Sequence, residues 1–392
     1  MLRPAVLLVL APLVACPSTP PDEESPPPDR WVAGDLHVHS SGASNDTDGF
    51  SFPADIATVA RQRGLDFVVL TDHSNSTGSM ECADVEDCPN QGPEFPYVDE
   101  AASLSSVDFV LVDGNEISPV ETLEGIGGPV GHTGCLPPAD GFSFAGAFTD
   151  RPPGEVTGGE GLAQCQQIGG FAVVNHPFAG VPWIQWDGTS DAFDAMEVWN
   201  GTARWDRGDR RGLVSWECLT SRGRSVTPVA GSDNHRVGIA PPGDTQNPPL
   251  GMPRTSVRVR GDDVADGLNW PAILAGLRRG DVVLHEEGTF VEGHGELVEA
   301  GAMWTATGRA TVLGRVELRR IPANLDCDWY APDEEAPHSE VVASADVAPG
   351  EFEVQLGPAL DPNALLYLML TRDELAPTMD GDIAITGLLR LE

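Results

Sequence analysis

The chain has 392 residues, 41% hydrophobic and 21% charged, which excludes a disordered or fibrous protein. Its length fits two domains, or one large barrel with an appendage, at roughly 100–200 residues per domain. With 60 acidic residues against 23 basic ones the net charge is -37, which argues against a protein that coats phosphate backbones. Every basic residue is arginine; the absence of lysine removes a Walker-type phosphate loop, a Schiff base and a lysine general base.

At the N-terminus, Arg3 precedes a short apolar run, Ala5–Val14, which is too brief for a bilayer span of about 20 residues and reads as a secretory signal. Its end, Leu13-Val14-Ala15-Cys16, resembles the bacterial lipoprotein processing box. That resemblance implies cleavage before Cys16, lipidation of Cys16 and membrane attachment. Pro17 after the cysteine, rather than an aspartate, points to the outer membrane or cell surface. Pro17–Asp29 is proline-rich and acidic and reads as a tether. The expected division is signal 1–15, tether 16–30, barrel 31–292 and a β-rich domain 293–392. Six cysteines remain after Cys16, an even number that suits disulfides in an oxidising compartment, with Cys82 and Cys88 the favoured single pair.

Short β-branched runs follow in chain order. Trp31–Leu36 leads to His37 and His39, Asp66–Leu70 to Asp72 and His73, and Asp108–Val112 to a turn carrying Glu116. A segment at Pro129–Val130 leads to His132, and Phe171–Val174 to His176. Ala195–Trp199 contains Glu197, which either lines a pocket or merely ends its strand, and Val226–Ala230 leads to Asp233 and His235. Continuous apolar runs suit strands buried on both faces. Between them Pro53–Arg63 reads as a helix stopped by Gly64, and Gly161–Ile168 and Leu213–Thr220 as weaker helices; Pro271–Arg279 is a further one. Strand–helix alternation over about 230 residues predicts a parallel β/α barrel with polar residues gathered at the strand C-termini. Beyond residue 296, Thr305–Arg319, Ser339–Ala343, Gly350–Leu356 and Leu365–Leu370 read as strands of a small antiparallel sheet.

Nine histidines occur, and six of them fall at predicted strand ends beside acids. Neutral imidazole and carboxylate together bind zinc, manganese or iron. In a strand, His37 and His39 point to one face and can grip one ion. His285, His294 and His338 lie outside the pattern and are read as structural or exposed.

The segments Gly-Asp-Leu-His37-Val-His39-Ser, Thr-Asp72-His73, Gly-Asn-Glu116, Asn-His176-Pro and Gly-Ser-Asp233-Asn-His235 resemble the successive motifs of the PHP (polymerase and histidinol phosphatase) superfamily over residues 31–290. The run from Pro253-Arg254-Thr255 to a β-rich tail resembles its exported carbaryl-hydrolase-like branch. The resemblance implies a distorted (β/α)7 barrel holding two to three divalent ions. His37, His39, Glu116 and Asp233 would hold the first, with Glu116 bridging to a second completed by His132 and His176. His73 and His235 would hold the third, with Asp46 the candidate from a loop that also offers Asn45 and Asp48.

Metal-assisted hydrolysis is the chemistry expected, with the ions lowering the pKa of a shared water toward ~7. Glu116, Asp233 and Asp72 are the catalytic candidates, Asp72 orienting His73 or moving a proton, or else only capping a turn. Arginines 204, 207, 210, 211 and 236 either clamp a phosphate or carboxylate or pair with surface acids; Arg204 and Arg236 are the substrate-binding candidates. The substrate expected is a small-molecule phosphoester, with no nucleic acid. A carboxylic or carbamic ester, or a non-catalytic surface binding role, is the alternative.

Overall fold

The computed structural model describes residues 27–44, 47, 49–73, 97–117, 132–144, 158–178, 193–201, 205–238, 248–298, 301–329, 336–359, 364–372 and 383–390. The signal and Cys16, Asp46 with its neighbours Asn45 and Asp48, Cys82 and Cys88, Pro129–Val130, and Arg204 lie outside these.

Strands β1 (Arg30–Val38), β2 (Phe67–Leu70) and β3 (Val110–Asp113) lie parallel and adjacent. β2 is buried along its whole length, as its continuous apolar sequence demands. At Gly114 the chain leaves this sheet for another, where a side chain would collide with Val69. There β4 (Asn115–Ile117) and β5 (Thr133–Leu136) pair antiparallel, as do β5 and β6 (Phe171–Val174). The parallel neighbours β7 (Ala195–Asn200) and β8 (Thr227–Gly231) complete five strands. One detail differs from the sequence expectation. Glu116 is the middle residue of a strand and not part of a turn. His132 immediately precedes β5, and the segment at 129–130 expected to lead to it lies outside the described residues.

The other side of β1 pairs antiparallel with β9 (Arg254–Val259), which pairs antiparallel with β10 (Val282–His285). The expected (β/α)7 barrel is therefore not formed as a closed sheet among the described residues. A barrel of β/α units needs parallel neighbours all round, and here antiparallel partners interrupt the series on both sheets. What remains is a mixed α/β fold. The two sheets touch through isolated bridges, Val38 with Asn234 and His73 with Glu116.

Helices α1 (Pro53–Gln62), α2 (Tyr97–Leu104), α3 (Gly158–Gln167), α4 (Arg207–Ser221) and α5 (Trp270–Arg279) connect the strands. Pro53 opens α1, and Gly64 at φ 67 takes the left-handed position after it. α4 begins six residues before the Leu213 start expected from the sequence. Its first turn is apolar-poor and is held instead by a reciprocal capping box between Asp206 and Asp209. α2 went unread because its eight residues bury only Tyr97 and Ala101.

Toward the C-terminus come β11 (Phe290–Val298), β12 (Gly301–Ala310), β13 (Gly314–Ile321), β14 (Glu340–Val347), β15 (Gly350–Ala359), β16 (Leu365–Arg372) and β17 (Ala384–Thr386). The single strand expected over Thr305–Arg319 is two, broken at 311–313 where Leu313 is exposed. β11, β12 and β15 form a three-stranded sheet. β14, β13, β16 and β17 instead continue the β10–β9–β1–β2–β3 sheet to nine strands, so hydrogen bonding runs unbroken from the first strand into this region.

Among the described residues, two disulfides lock the arrangement. Cys135–Cys165 ties β5 to α3, and Cys218–Cys327 ties α4 to the segment after β13. They close loops of 30 and 109 residues, constraints worth roughly 4 and 5 kcal/mol in the chain-entropy account. Thermal unfolding under reductant is expected to begin several degrees lower than without it, and an unchanged midpoint would show that the bonds do not contribute.

Candidate metal centre

Where the two sheets meet, eight side chains converge. His37 at the end of β1 and His39 just past it are both buried, with Nε2 atoms 3.2 Å apart. His73 follows β2, Glu116 sits in β4, His132 precedes β5, His176 follows β6, and Asp233 and His235 follow β8. The seam bonds hold these strand ends in register: the His39 N–H donates to the Asn234 carbonyl and the Asp233 N–H to that of His37, both at 2.9 Å.

Glu116 is the centre. Its Oε1 lies 3.2 Å from His37 Nε2, 3.0 Å from His132 Nδ1 and 3.2 Å from His176 Nε2. Its Oε2 lies 3.1 Å from His73 Nδ1 and 3.5 Å from His39 Nε2. Asp233 Oδ1 stands 3.1 Å from His39 Nε2 and 3.3 Å from His37 Nε2. Four sets of three have ligand atoms within 4.8 Å of one another: His37/His39/Glu116, His73/Glu116/His132, His37/His176/Asp233 and His39/His73/His235.

The first set matches three of the four residues that the resemblance assigned to the first ion. His39/His73/His235 keeps the His73 and His235 pair assigned to the third ion, and His132 stays with Glu116 as assigned to the second; the remaining groupings differ. His132 falls with His73, because the His73–Glu116 bridge brings β2 and β4 together, and His176 falls with His37 and Asp233. Imidazoles and carboxylates this close, with two Nε2 atoms facing each other, form a donor set suited to divalent zinc, manganese or iron.

Two of these residues adopt the left-handed backbone that favours glycine: His176 at φ 25 and Asp233 at φ 54. Such a conformation costs of order 1–3 kcal/mol per residue and persists where surrounding structure enforces it. Here the seam bond to His37 fixes Asp233, and the His176 N–H donates to Glu197 Oε2 at 2.7 Å.

A second layer of polar groups aims the imidazoles. Glu197 Oε1 lies 2.8 Å from His37 Nδ1, and its Oε2 also accepts from Asn200 Nδ2 at 2.9 Å. Glu197 thus faces the centre from β7; the signal for it was an acid inside the otherwise apolar Ala-Met-Glu-Val-Trp. Asn175 Nδ2 donates to Glu116 Oε1 at 2.9 Å, a contact the sequence reading missed. Gly231 permits the close fit, since a Cβ there would lie 2.6 Å from His37 Cβ and 2.9 Å from Glu197 Oε1. Asp72 was left open between orienting His73, moving a proton and capping a turn. Its carboxylate accepts from the Ser40 N–H at 2.6 Å, the Ser40 hydroxyl at 2.5 Å and the Ser44 hydroxyl at 2.8 Å.

Charge is balanced within the cluster. Burial alone would raise the carboxyls of Glu116 and Asp233, but neighbouring imidazoles, chiefly His132 and His37 for Glu116 and His37 for Asp233, hold both well below the usual range. Burial opposes charge on His37, yet Asp233, Glu197 and Glu116 raise it well above 6.5; His176 is raised by its hydrogen bond to Glu116 and the nearby acids against the same burial. Burial, with His235 and His73 alongside, drives His39 down to about 3. Burial lowers His132 as well, against the pull of Glu116, and pushes Asp72 up to about 6 against its serine donors.

Exposure is uneven. The His37, His39, Glu116 and His73 side chains are at most 2% exposed, whereas those of His235 and Asp233 reach 21% and 24%. Solvent therefore reaches the cluster past β8, where Arg236 is exposed. Arg207, Arg210 and Arg211 lie on α4. Of the histidines set aside from the sequence, His285 is buried against the Ser256 hydroxyl at 2.7 Å.

No protein-family model matches the chain, and no curated protein does. Among solved structures it is similar to the lesion-specific endonuclease PfuEndoQ from Pyrococcus furiosus, with 17% identity and a TM-score of 0.40 over 64% of this chain and 56% of that one. It is also similar to an Endonuclease Q complex with a 27-mer duplex substrate carrying an abasic lesion at the active site, with 16% identity and a TM-score of 0.38 over 64% of this chain and 57% of the other. The chain thus spans somewhat more than half the length of each. The first of these neighbours is an endonuclease and the second holds a duplex substrate, against the expectation here of a small-molecule substrate with nucleic acid excluded, and that exclusion is withdrawn. That expectation rested on a net charge of -37, which describes the surface as a whole, whereas bound cations set the local field of a site.

Neighbouring acids raise the pKa of His37 and of His176 against burial, so a cation competes with protons at both, and adding zinc to the metal-free protein in weak buffer is expected to release protons. Affinity should fall as pH drops, since protonation of raised imidazoles competes with the ion. Proton-neutral binding with a flat pH profile would contradict this balance.

Proposed function

We propose that the protein is a metal-dependent hydrolase of phosphoesters of the PHP type, phosphodiesters of nucleic acids among its candidate substrates. The observation that carries this reading is the buried Glu116 carboxylate with five imidazoles within 3.5 Å, in a cluster of eight ligand-type side chains. His37, His39, Glu116 and Asp233 would hold one ion, and His73, His132, His176 and His235 would complete a second or third. Such ions supply Lewis acidity and lower the pKa of water when bound.

The protein's own residues do the rest. Glu197 and Asn175 hold His37 and Glu116 in orientation, so little reorganisation is left for the reacting state. Asp233 and His235, the most exposed of the set, meet the substrate first, and the neighbouring Arg236 is placed to receive an anionic group. Export as a lipoprotein anchored through Cys16 belongs to the same reading and is supported by the disulfides Cys135–Cys165 and Cys218–Cys327, which suit an oxidising compartment.

Turnover of an aryl phosphate, an aryl phosphodiester and a single-stranded oligonucleotide tests the reading, with an aryl acetate as contrast. Activity on a phosphoester is expected, lost with chelator and restored by zinc or manganese. Glu116→Gln should lower it by about 100-fold or more, since truncating a residue that contacts several ligands exceeds the 10–100-fold cost of outer-shell changes. Arg236→Ala should raise KM with kcat little changed. Hydrolysis of the acetate alone would sink the proposal.

A further inference from the structure

His37 and His39 are two residues apart on one chain, yet their outward-facing nitrogens meet different partners. His37 Nδ1 meets a carboxylate directly, that of Glu197. His39 Nδ1 meets the hydroxyl of Ser44 at 3.0 Å.

The capacity of that hydroxyl decides what it can do. A serine Oγ offers one proton and two lone pairs. The His73 backbone N–H, 3.3 Å away, can only donate to it. Asp72 Oδ1, 2.8 Å away, already takes the Ser40 N–H and serves as acceptor to Ser44 as well. The single hydroxyl proton therefore points at Asp72, and one lone pair is taken by His73. What is left for His39 is the other lone pair, so Nδ1 of His39 must bring a proton to it. With Nδ1–H fixed, Nε2 carries the free electron pair toward Glu116 Oε2 and Asp233 Oδ1.

We propose that Ser44 is a positioning residue that transmits the orientation of Asp72 to His39, locking the imidazole as the Nδ1–H tautomer with Nε2 presented as a ligand atom. The inference rests on the metal-centre reading and deepens it. It also gives Asp72 a role different from the one expected beside His73: through Ser44 the acid acts on the ligand two residues past β1. Because Ser44 also accepts from the His73 main chain, one hydroxyl holds the ends of β1 and β2 at a common spacing. All the side chains involved, Ser40, Ser44, Asp72 and His39, are buried, so water does not replace the missing contact easily.

Zinc affinity and stoichiometry, measured by competition with a chromophoric chelator, test this in the full chain, with thermal unfolding of the metal-free protein confirming that each variant folds. Ser44→Ala is expected to weaken zinc binding by about 10–100-fold, the usual cost of losing an outer partner of a ligand imidazole. Ser44→Thr, which keeps the hydroxyl, should restore most of it. In the zinc-loaded wild type the His39 Nδ1–H should give a slowly exchanging NMR resonance that Ser44→Ala loses. Equal affinity in wild type and Ser44→Ala overturns the relay while leaving the metal centre intact. So does equal weakening in the alanine and threonine variants, which would mark packing instead of hydrogen bonding. A wild type that binds no zinc, manganese or iron overturns the metal-centre reading itself, and the relay with it.

Discussion

A buried carboxylate must be compensated, and Glu116 is compensated almost entirely by imidazoles. That requirement organises the protein around it. An ionised acid removed from water costs several kcal/mol unless neighbouring charges and donors offset the loss. The partners of Glu116 arrive from the ends of β1, β2 and β6 and from the residue before β5, so the fold must bring four backbone segments to one carboxylate. The seam bridges between the two sheets accomplish this, and the left-handed backbones of His176 and Asp233 show the strain that the arrangement tolerates.

Much of this is legible in the amino-acid sequence. Continuous β-branched runs marked the strands buried on both faces, and Phe171–Val174 appears with the same bounds. The recurrence of imidazole and acid just past such runs pointed to a shared rim, since parallel strands present their C-terminal ends together. Positions 37, 39, 73, 116, 132, 176, 233 and 235 do meet in space. The closed barrel did not follow, because strand direction is not written in hydrophobic pattern. An apolar run of four reads alike whether its neighbour is parallel or antiparallel, so nothing marked β5 or β9 as reversed.

The outer layer was harder to read for a different reason. A residue such as Ser44 or Asn175 declares its role only through what lies across the fold from it, and serine and asparagine are common in loops for turn chemistry alone. Glu197 was half legible: an acid inside an apolar strand demands a buried partner, but the sequence does not say which. Asp72 was legible as important but with its role open, because its partners Ser40 and Ser44 come from the chain beyond β1 and adjacency to His73 does not reveal them.

The uneven wetting of the cluster has a consequence for traffic. Only the flank formed by Asp233 and His235 is open among the described residues, while the Glu116 side is sealed by packed strands. On the proposed reading a substrate would arrive at this flank and meet the ligand atoms of Asp233 and His235 before that of Glu116, so the reacting end of the cluster and its anchoring end are different ends.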